Sequence, residues 1–427
     1  MSTKINRSKA PEFHQITEIK VPKIEKGHLA NNIPYSIMAG GSQEIVYIEL
    51  TFNAGTVFSN QLLIASTTNM MLVEGTSKHS AQQIADTFDF YGAEIRTDNN
   101  FDSATVGLFC LNKYLDKVLP LFCEIITDSI FPKHELSVVI DERKHIHIEN
   151  NEKTSVLAND AMHKLVFGNH PYAIRAELPD YDKVTSEILK DFHKRHYNAS
   201  NCRLLINGFV TSDVISKIED TIGQLPTGKA FATPLTPIIN ASASSPLIIK
   251  KQNAVQSSLR MGMQTINMGH SDYHRLNMLT TILGGYFGSR LMSNIREEKG
   301  YTYGIYAHLY PQVQCGMLRI AGDVKTGYSL KVADEVKKEM QRLMNEPVGN
   351  DELALVRNYM MGELLQLFDG PFNCTDTVAK LMDMGLDIDF FEKEQQTILS
   401  TTAQELQETA NLYFDLDKLH TAIAGNE

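Results

Sequence analysis

Apolar and polar positions along this chain change period in a fixed order, and that order occurs twice. Residues 44–53 (EIVYIELTFN) alternate in part between apolar and polar side chains and predict a strand, with a shorter one at 32–38. Residues 60–72 form a mostly apolar helical run. Ser80 and Gln83 have capping-box spacing; they open a helix with Ile84, Ala85, Phe88 and Tyr91 on one face, which Gly92 stops. Residues 93–98 and 103–110 predict a hairpin. Residues 115–130 read as an amphipathic helix ending near Pro132, followed by helices at about 134–150 and 154–167.

The second half repeats this series. Residues 257–264 predict a strand, and 271–283 a helix with Ser271 as its cap. A helix at 289–299 is stopped by Gly300. Residues 301–309 and 316–323 predict a hairpin, and 330–345 a long helix. The series recurs at an offset of roughly 210 residues, too long a period for a solenoid, so it reads as two homologous domains of an α+β fold. Residues 223–245 (GQLPTGKAFATPLTPIINASASS) are rich in Pro, Ser, Ala and Thr with little periodicity and read as the linker. The expected domains are therefore 1–222 and 246–427.

Composition narrows the class. The chain has 427 residues, 43% hydrophobic and 21% charged, so it is long enough for two or three cores and apolar enough to fold. A formal net charge of -11 argues against nonspecific nucleic-acid binding. No apolar run approaches the roughly 18 residues a membrane-crossing helix needs. Five scattered cysteines with no CxxC point to a reducing compartment, and a cytoplasmic protein is expected.

Most familiar chemistry is missing. Neither H-E-x-x-H nor H-x-x-E-H occurs. His145, His147 and Glu149 fall on a predicted helix, where residues two apart point to nearly opposite faces, so a solvated face is the favoured reading. His270 and His274 have a chelating spacing of four but no third ligand nearby; His163 and His170 flank a helix end and read as structural. There is no G-x-S-x-G. The Gly-rich stretch at 283–289 lies between two helices, where neither a phosphate loop nor a dinucleotide fingerprint belongs. A metal site from His145, His147 or His163 stays open as a third reading.

Residues 289–306 (SRLMSNIREEKGYTYGIY) carry the densest signal. Arg290, Arg296 and several tyrosines crowd around a helix that ends at Gly300 and passes into a strand. Two readings stand level on physical grounds. Arg296 pairs with a glutamate while the tyrosines line a sheet, or Arg and Tyr hold a peptide carbonyl or carboxylate.

The longer stretch LGGYFGSRLMSNIREEKGYTYGIY resembles the C-terminal-domain signature of the pitrilysin-like zinc peptidases, the inverzincin family that includes insulinase and the mitochondrial processing peptidase. Arg296 and Tyr303, seven apart, match that family's Arg and Tyr pair. The resemblance implies that they contact the substrate backbone and stabilise charge as an oxyanion builds. It covers about 44–414 and implies two domains, each a mostly antiparallel sheet packed by helices on one face.

The first half aligns with the family's H-x-x-E-H segment through residues 66–76, STTNMMLVEGT, and through the FGNHP motif at 167–171. Ser66 and Met70 stand where the two zinc-binding histidines belong, Asn69 where the general base belongs, and Ile146 where the third ligand falls. These four cannot jointly hold zinc or take a proton from water. No cofactor is therefore expected in this chain. The resemblance implies a non-catalytic subunit of a heterodimeric zinc metallopeptidase. Arg296 and Tyr303 would act on a peptide held at the zinc site of a homologous partner subunit. The alternative is a peptide-binding or scaffold protein of the same fold. Neither nucleic acid nor membrane is expected as a partner.

Overall fold

A computed structural model describes residues 16–236 and 245–427, together with Ser8. Eleven strands are described in it, falling into two sheets. The first contains β1 (Glu25–His28), β2 (Pro34–Ala39), β3 (Ile45–Phe52), β4 (Glu94–Asn99), β5 (Ala104–Leu111) and β6 (Cys202–Gly208), in the order β1-β2-β6-β3-β5-β4. The second contains β7 (Leu247–Lys250), β8 (Gln256–Thr265), β9 (Thr302–Pro311), β10 (Gly316–Lys325) and β11 (His420–Gly425), in the order β7-β11-β8-β10-β9.

Apart from β1, which has no counterpart in the second sheet, the two orders are the same. β2 pairs with β6 in parallel, as β7 does with β11, and the central pairings are antiparallel in both sheets. The duplication expected from the pattern is thus present in the strand topology, and the fold is α+β with two related domains. The hairpins form where expected. So does the helix Ala81–Tyr91: Ser80 accepts from Gln83 N, the Gln83 side chain answers Ser80 N, and Gly92 ends it at φ 60°.

Three local expectations shift. The first helix begins at Ile64 rather than near 60, because Leu63 sits at φ 70° and breaks the run before it. Ser271 is not the cap of the next repeat's helix, Tyr273–Thr280; Asp272 occupies that position and makes no side-chain cap bond. That helix then widens into a π turn over Thr281–Gly285. In the linker, Asn53 and Asn201 hold Phe231 to the first half, while residues 237–244 lie outside the described residues.

Each sheet carries its own half's helices on one face. In β3, Val46, Ile48, Leu50 and Phe52 enter that core, while Tyr47, Glu49 and Thr51 point the other way. The other face is covered by a helix from the opposite half. The helix Thr154–Phe167 of the first half lies across β8 and β11, with Gln264 Nε2 donating to Val166 O at 2.8 Å. The approach is close at Gly262, where a Cβ would meet Met162 Sδ at 2.6 Å. Reciprocally, the helix Thr375–Asp383 lies on sheet one. Asn207 Nδ2 donates to Thr375 Oγ1 at 2.6 Å, Ser103 Oγ to Asp383 at 3.0 Å, and Arg203 forms an ion pair with Asp383. Ala161, Met162, Leu165, Val166, Phe167, Tyr172, Met317 and Ala422 form a separate apolar cluster at this junction.

Candidate functional site

The four degenerate positions sit on two helices, Ile64–Met70 and Lys133–Glu152. Between them the structure places a side chain that motif reading missed. Arg143 donates from Nη2 to Ser66 Oγ at 2.9 Å and from Nη1 to Thr67 Oγ1 at 2.5 Å. Burial lowers the Arg143 pKa from its ordinary value, yet a guanidinium remains charged. A fixed cation therefore stands against the position where the family's first zinc ligand belongs. The available signal was its spacing: Arg143 is three residues before Ile146, one helical turn away on the same face.

Asn69 is fully committed to structure. It is buried, its Nδ2 donates to the carbonyls of Asp98 (2.7 Å) and Thr105 (3.0 Å), and its Oδ1 accepts from Tyr197 Oη at 2.9 Å. It ties the helix to β4 and β5 and has no capacity left to activate water. Met70 and Ile146 are 42% and 48% exposed, a thioether and an alkyl group facing outward. A hydroxyl, an amide, a thioether and an alkyl chain beside a guanidinium do not fit zinc, which needs neutral or anionic donors and no adjacent cation.

Ser66 also lines a cavity of about 770 Å³ between the two halves, with Glu49, Asp98, Asp376 and Lys380 among its walls. Burial pushes the Glu49 carboxyl up from its ordinary range and the Lys380 amine down.

Arg296 and Tyr303 are brought together in a different cleft, of about 670 Å³, lined also by Glu297, Gly300, Thr302 and Lys325. Arg296 lies on a helical segment of π geometry, Met292–Glu298, closed by Lys299 N donating to Asn294 O and by Tyr301 N donating to Ile295 O. Gly300 at φ 65° turns the chain into β9, whose second residue is Tyr303. The turn is braced by Lys299, which bonds Asn294 and reaches Glu335 at 2.9 Å; with Lys338, these contacts hold the Glu335 carboxyl down at about 2.

The two arginines of this segment are held differently. Arg290 is the arginine locked to a glutamate, in a two-pronged pair with Glu352 at 2.9 Å on each prong. Arg296 lies over the Phe287 ring at 4.4 Å, with a loose 3.8 Å approach to Glu297, and Tyr303 is 89% exposed. Arg296 therefore keeps donors free to face the cleft. The Arg296–Tyr303 cleft and the cavity at Ser66 share no lining residue.

The histidines are engaged separately. His163 bonds the Tyr172 carbonyl at 3.1 Å, and burial pushes it down to about 4. His147 bonds Asn151 at 2.8 Å, His170 accepts from Tyr172 N, and His274 packs on Phe390 at 4.3 Å. No group of three potential metal ligands gathers among the described residues.

Comparison with known sequences bears on this geometry. Residues 39–180 match the family described as Insulinase (Peptidase family M16), and residues 183–360 match the Peptidase M16 inactive domain. The chain belongs to the peptidase M16 family. A Non-peptidase homolog YmxG of Helicobacter pylori is 21% identical over 99% of this chain and 95% of its own length. An Uncharacterized zinc protease of Rickettsia bellii is 23% identical, covering 95% and 97%. Two solved structures superpose with a TM-score of 0.85. One is a peptidase M16 inactive domain from Pseudomonas fluorescens, 23% identical over 95% of this chain and 98% of that one. The other is a protease from Helicobacter pylori, 17% identical over 94% and 99%.

Within the M16 family this chain is a non-catalytic member. The positions expected from the sequence to carry the zinc ligands and base are Ser66, Asn69, Met70 and Ile146, and Arg143 is bonded to the first of them.

Proposed function

We propose that the chain is the non-catalytic subunit of a heterodimeric zinc metallopeptidase, supplying Arg296 and Tyr303 in trans to a peptide bound on a zinc-bearing M16 partner. The observation that carries this reading is the free Arg296–Tyr303 cleft, in a chain whose own metal positions are closed by Arg143. The guanidinium would donate to a backbone carbonyl, and the Tyr303 phenol to the oxygen on which charge develops. Metal and general base would belong to the partner. The reading includes the domain limits at 222 and 246. It also includes a cytoplasmic setting, supported by five cysteines that stand unpaired in the fold.

The test is co-expression with a zinc-bearing M16 relative that carries H-x-x-E-H, followed by cleavage of a quenched peptide. Loss of one oxyanion-stabilising donor lowers kcat by about 100- to 1,000-fold, and Arg296→Ala and Tyr303→Phe should each approach this. If both variants leave cleavage unchanged in an assembled pair, the role in trans is wrong and the peptide-binding or scaffold reading takes its place.

A further inference from the structure

The helix pair that carries the lost zinc site has a counterpart in the second half. Tyr273–Thr280, with its π continuation Thr281–Gly285, follows β8 as Ile64–Met70 follows β3. Asn350–Leu367 follows the second hairpin and its helix as Lys133–Glu152 follows the first. In the first half the space between the pair is bridged by the Arg143 guanidinium. In the second half it is an open cavity of about 620 Å³, within the range of small-molecule sites.

Tyr273, Asn277, Thr281 and Gly285, spaced four apart along one stripe, form one wall. Tyr359 and Glu363 come from Asn350–Leu367, Phe390 and Glu394 from the helix Asp389–Ser400, and His308 from β9. Two carboxylates therefore face a pocket with aromatic walls and no lysine or arginine in its lining. Among the described residues neither carboxylate is in an ion pair. Asn277 Nδ2 reaches Glu394 Oε1 at 3.4 Å, and Tyr359 lies against Glu363. Burial pushes the Glu394 carboxyl up to about 7, as expected of a group withdrawn from water without a cation. His308 is pushed down, by burial first and by Arg319 second, so it supplies no positive charge near neutral pH.

We propose that this cavity binds an alkyl chain ending in an ammonium or guanidinium group, its charge between Glu363 and Glu394 and its methylenes against the aromatic walls. Carboxylates and ring faces both favour such a cation, and no group of three metal-ligating side chains gathers here among the described residues. The inference does not depend on the partner proposed above. Two sources share this chemistry, a free alkylamine and the basic side chain of a peptide.

The test is calorimetric titration of the full chain with pentylamine and with butylguanidine, using 1-pentanol as the neutral control. The two cations should bind and pentanol should not. Glu394→Gln and Glu363→Gln should each weaken binding on the order of ten- to hundred-fold. Methyl resonances of Met268 and Met360, which line the cavity, should shift on adding pentylamine to the unmodified protein, while that of Met70 stays fixed. This measurement does not rely on any variant folding. Capped Gly-Lys-Gly binding more tightly than pentylamine identifies a peptide side chain as the occupant; the reverse order identifies a free amine. Equal binding of pentanol and pentylamine overturns the proposal. So do unchanged affinity in both folded Gln variants, or Met268 and Met360 signals that stay fixed at millimolar amine.

Discussion

Asn69→Asp is the sharpest test of the claim that the position of the lost general base has become a structural clamp. The change is nearly isosteric and moves one step toward the acid the family uses. Yet the two donors of Asn69 Nδ2 face the carbonyls of Asp98 and Thr105, and a carboxylate oxygen in their place would face both lone pairs unbonded. Two lost bonds contribute about 1 kcal/mol each. The larger effect is ionisation. A buried carboxyl facing carbonyl oxygens has its pKa raised by about 3 units, and each unit corresponds to 1.36 kcal/mol. A raised folded-state pKa means that the unfolded chain ionises first as pH rises. Stability is therefore lost between about pH 4 and pH 7 and is flat above. The variant should be destabilised by about 1–2 kcal/mol at pH 4, where a protonated carboxyl still donates once, and by about 5 kcal/mol at pH 8. Asn69→Ala should lose about 3 kcal/mol at both values. Urea denaturation of the three proteins at each pH measures this. A cost for Asn69→Asp that is equal at the two values, or below about 1 kcal/mol at pH 8, would refute the assignment.

Two further outcomes follow from named contacts. Rebuilding the ligand set as Ser66→His, Met70→His and Ile146→Glu should yield weak zinc binding while Arg143 remains. A unit charge roughly 5 Å from a divalent ion opposes it by about 7 kcal/mol at an effective dielectric of about 20. Adding Arg143→Ala should tighten zinc at least a hundredfold in a chelator competition. Asp383→Ala removes the partner of Arg203, which is already pushed down to about 10 by burial. It should lower stability by about 3–5 kcal/mol, read in the same urea assay.

Periodicity reports what a segment does to its neighbours in sequence, and the legible parts of this fold are local. The capping box at Ser80, the stop at Gly92, both hairpins and the helix 154–167 are all written in short-range chemistry. The strands β6 and β11, which insert beside β2 and β7 from far along the chain, are not marked by any turn that links them to their partners. The exchange of helices was also hidden. Its trace is in Thr154–Phe167, where Ala158, Ala161, Met162, Leu165, Val166 and Phe167 are all buried, more than one apolar stripe requires. The site divides in the same way. Arg296 and Tyr303 stand out in the sequence as a spaced pair, and Ser66, Asn69, Met70 and Ile146 as departures from a motif. Arg143 was not, because a search for ligands passes over the residue type that excludes them.

The crossed helices carry a consequence for how such a protein can change. Each half is finished by a piece of its sibling, so neither is an interchangeable part. A chimera that replaced residues 246–427 with those of a relative would bring a foreign helix in place of Thr375–Asp383 onto sheet one and set Met162 against a foreign strand in place of β8. A new side chain on one sheet's outer face therefore has to be accommodated by the crossing helix of the other half. The orientation between the Arg296 cleft and the rest of the molecule is fixed by that bargain.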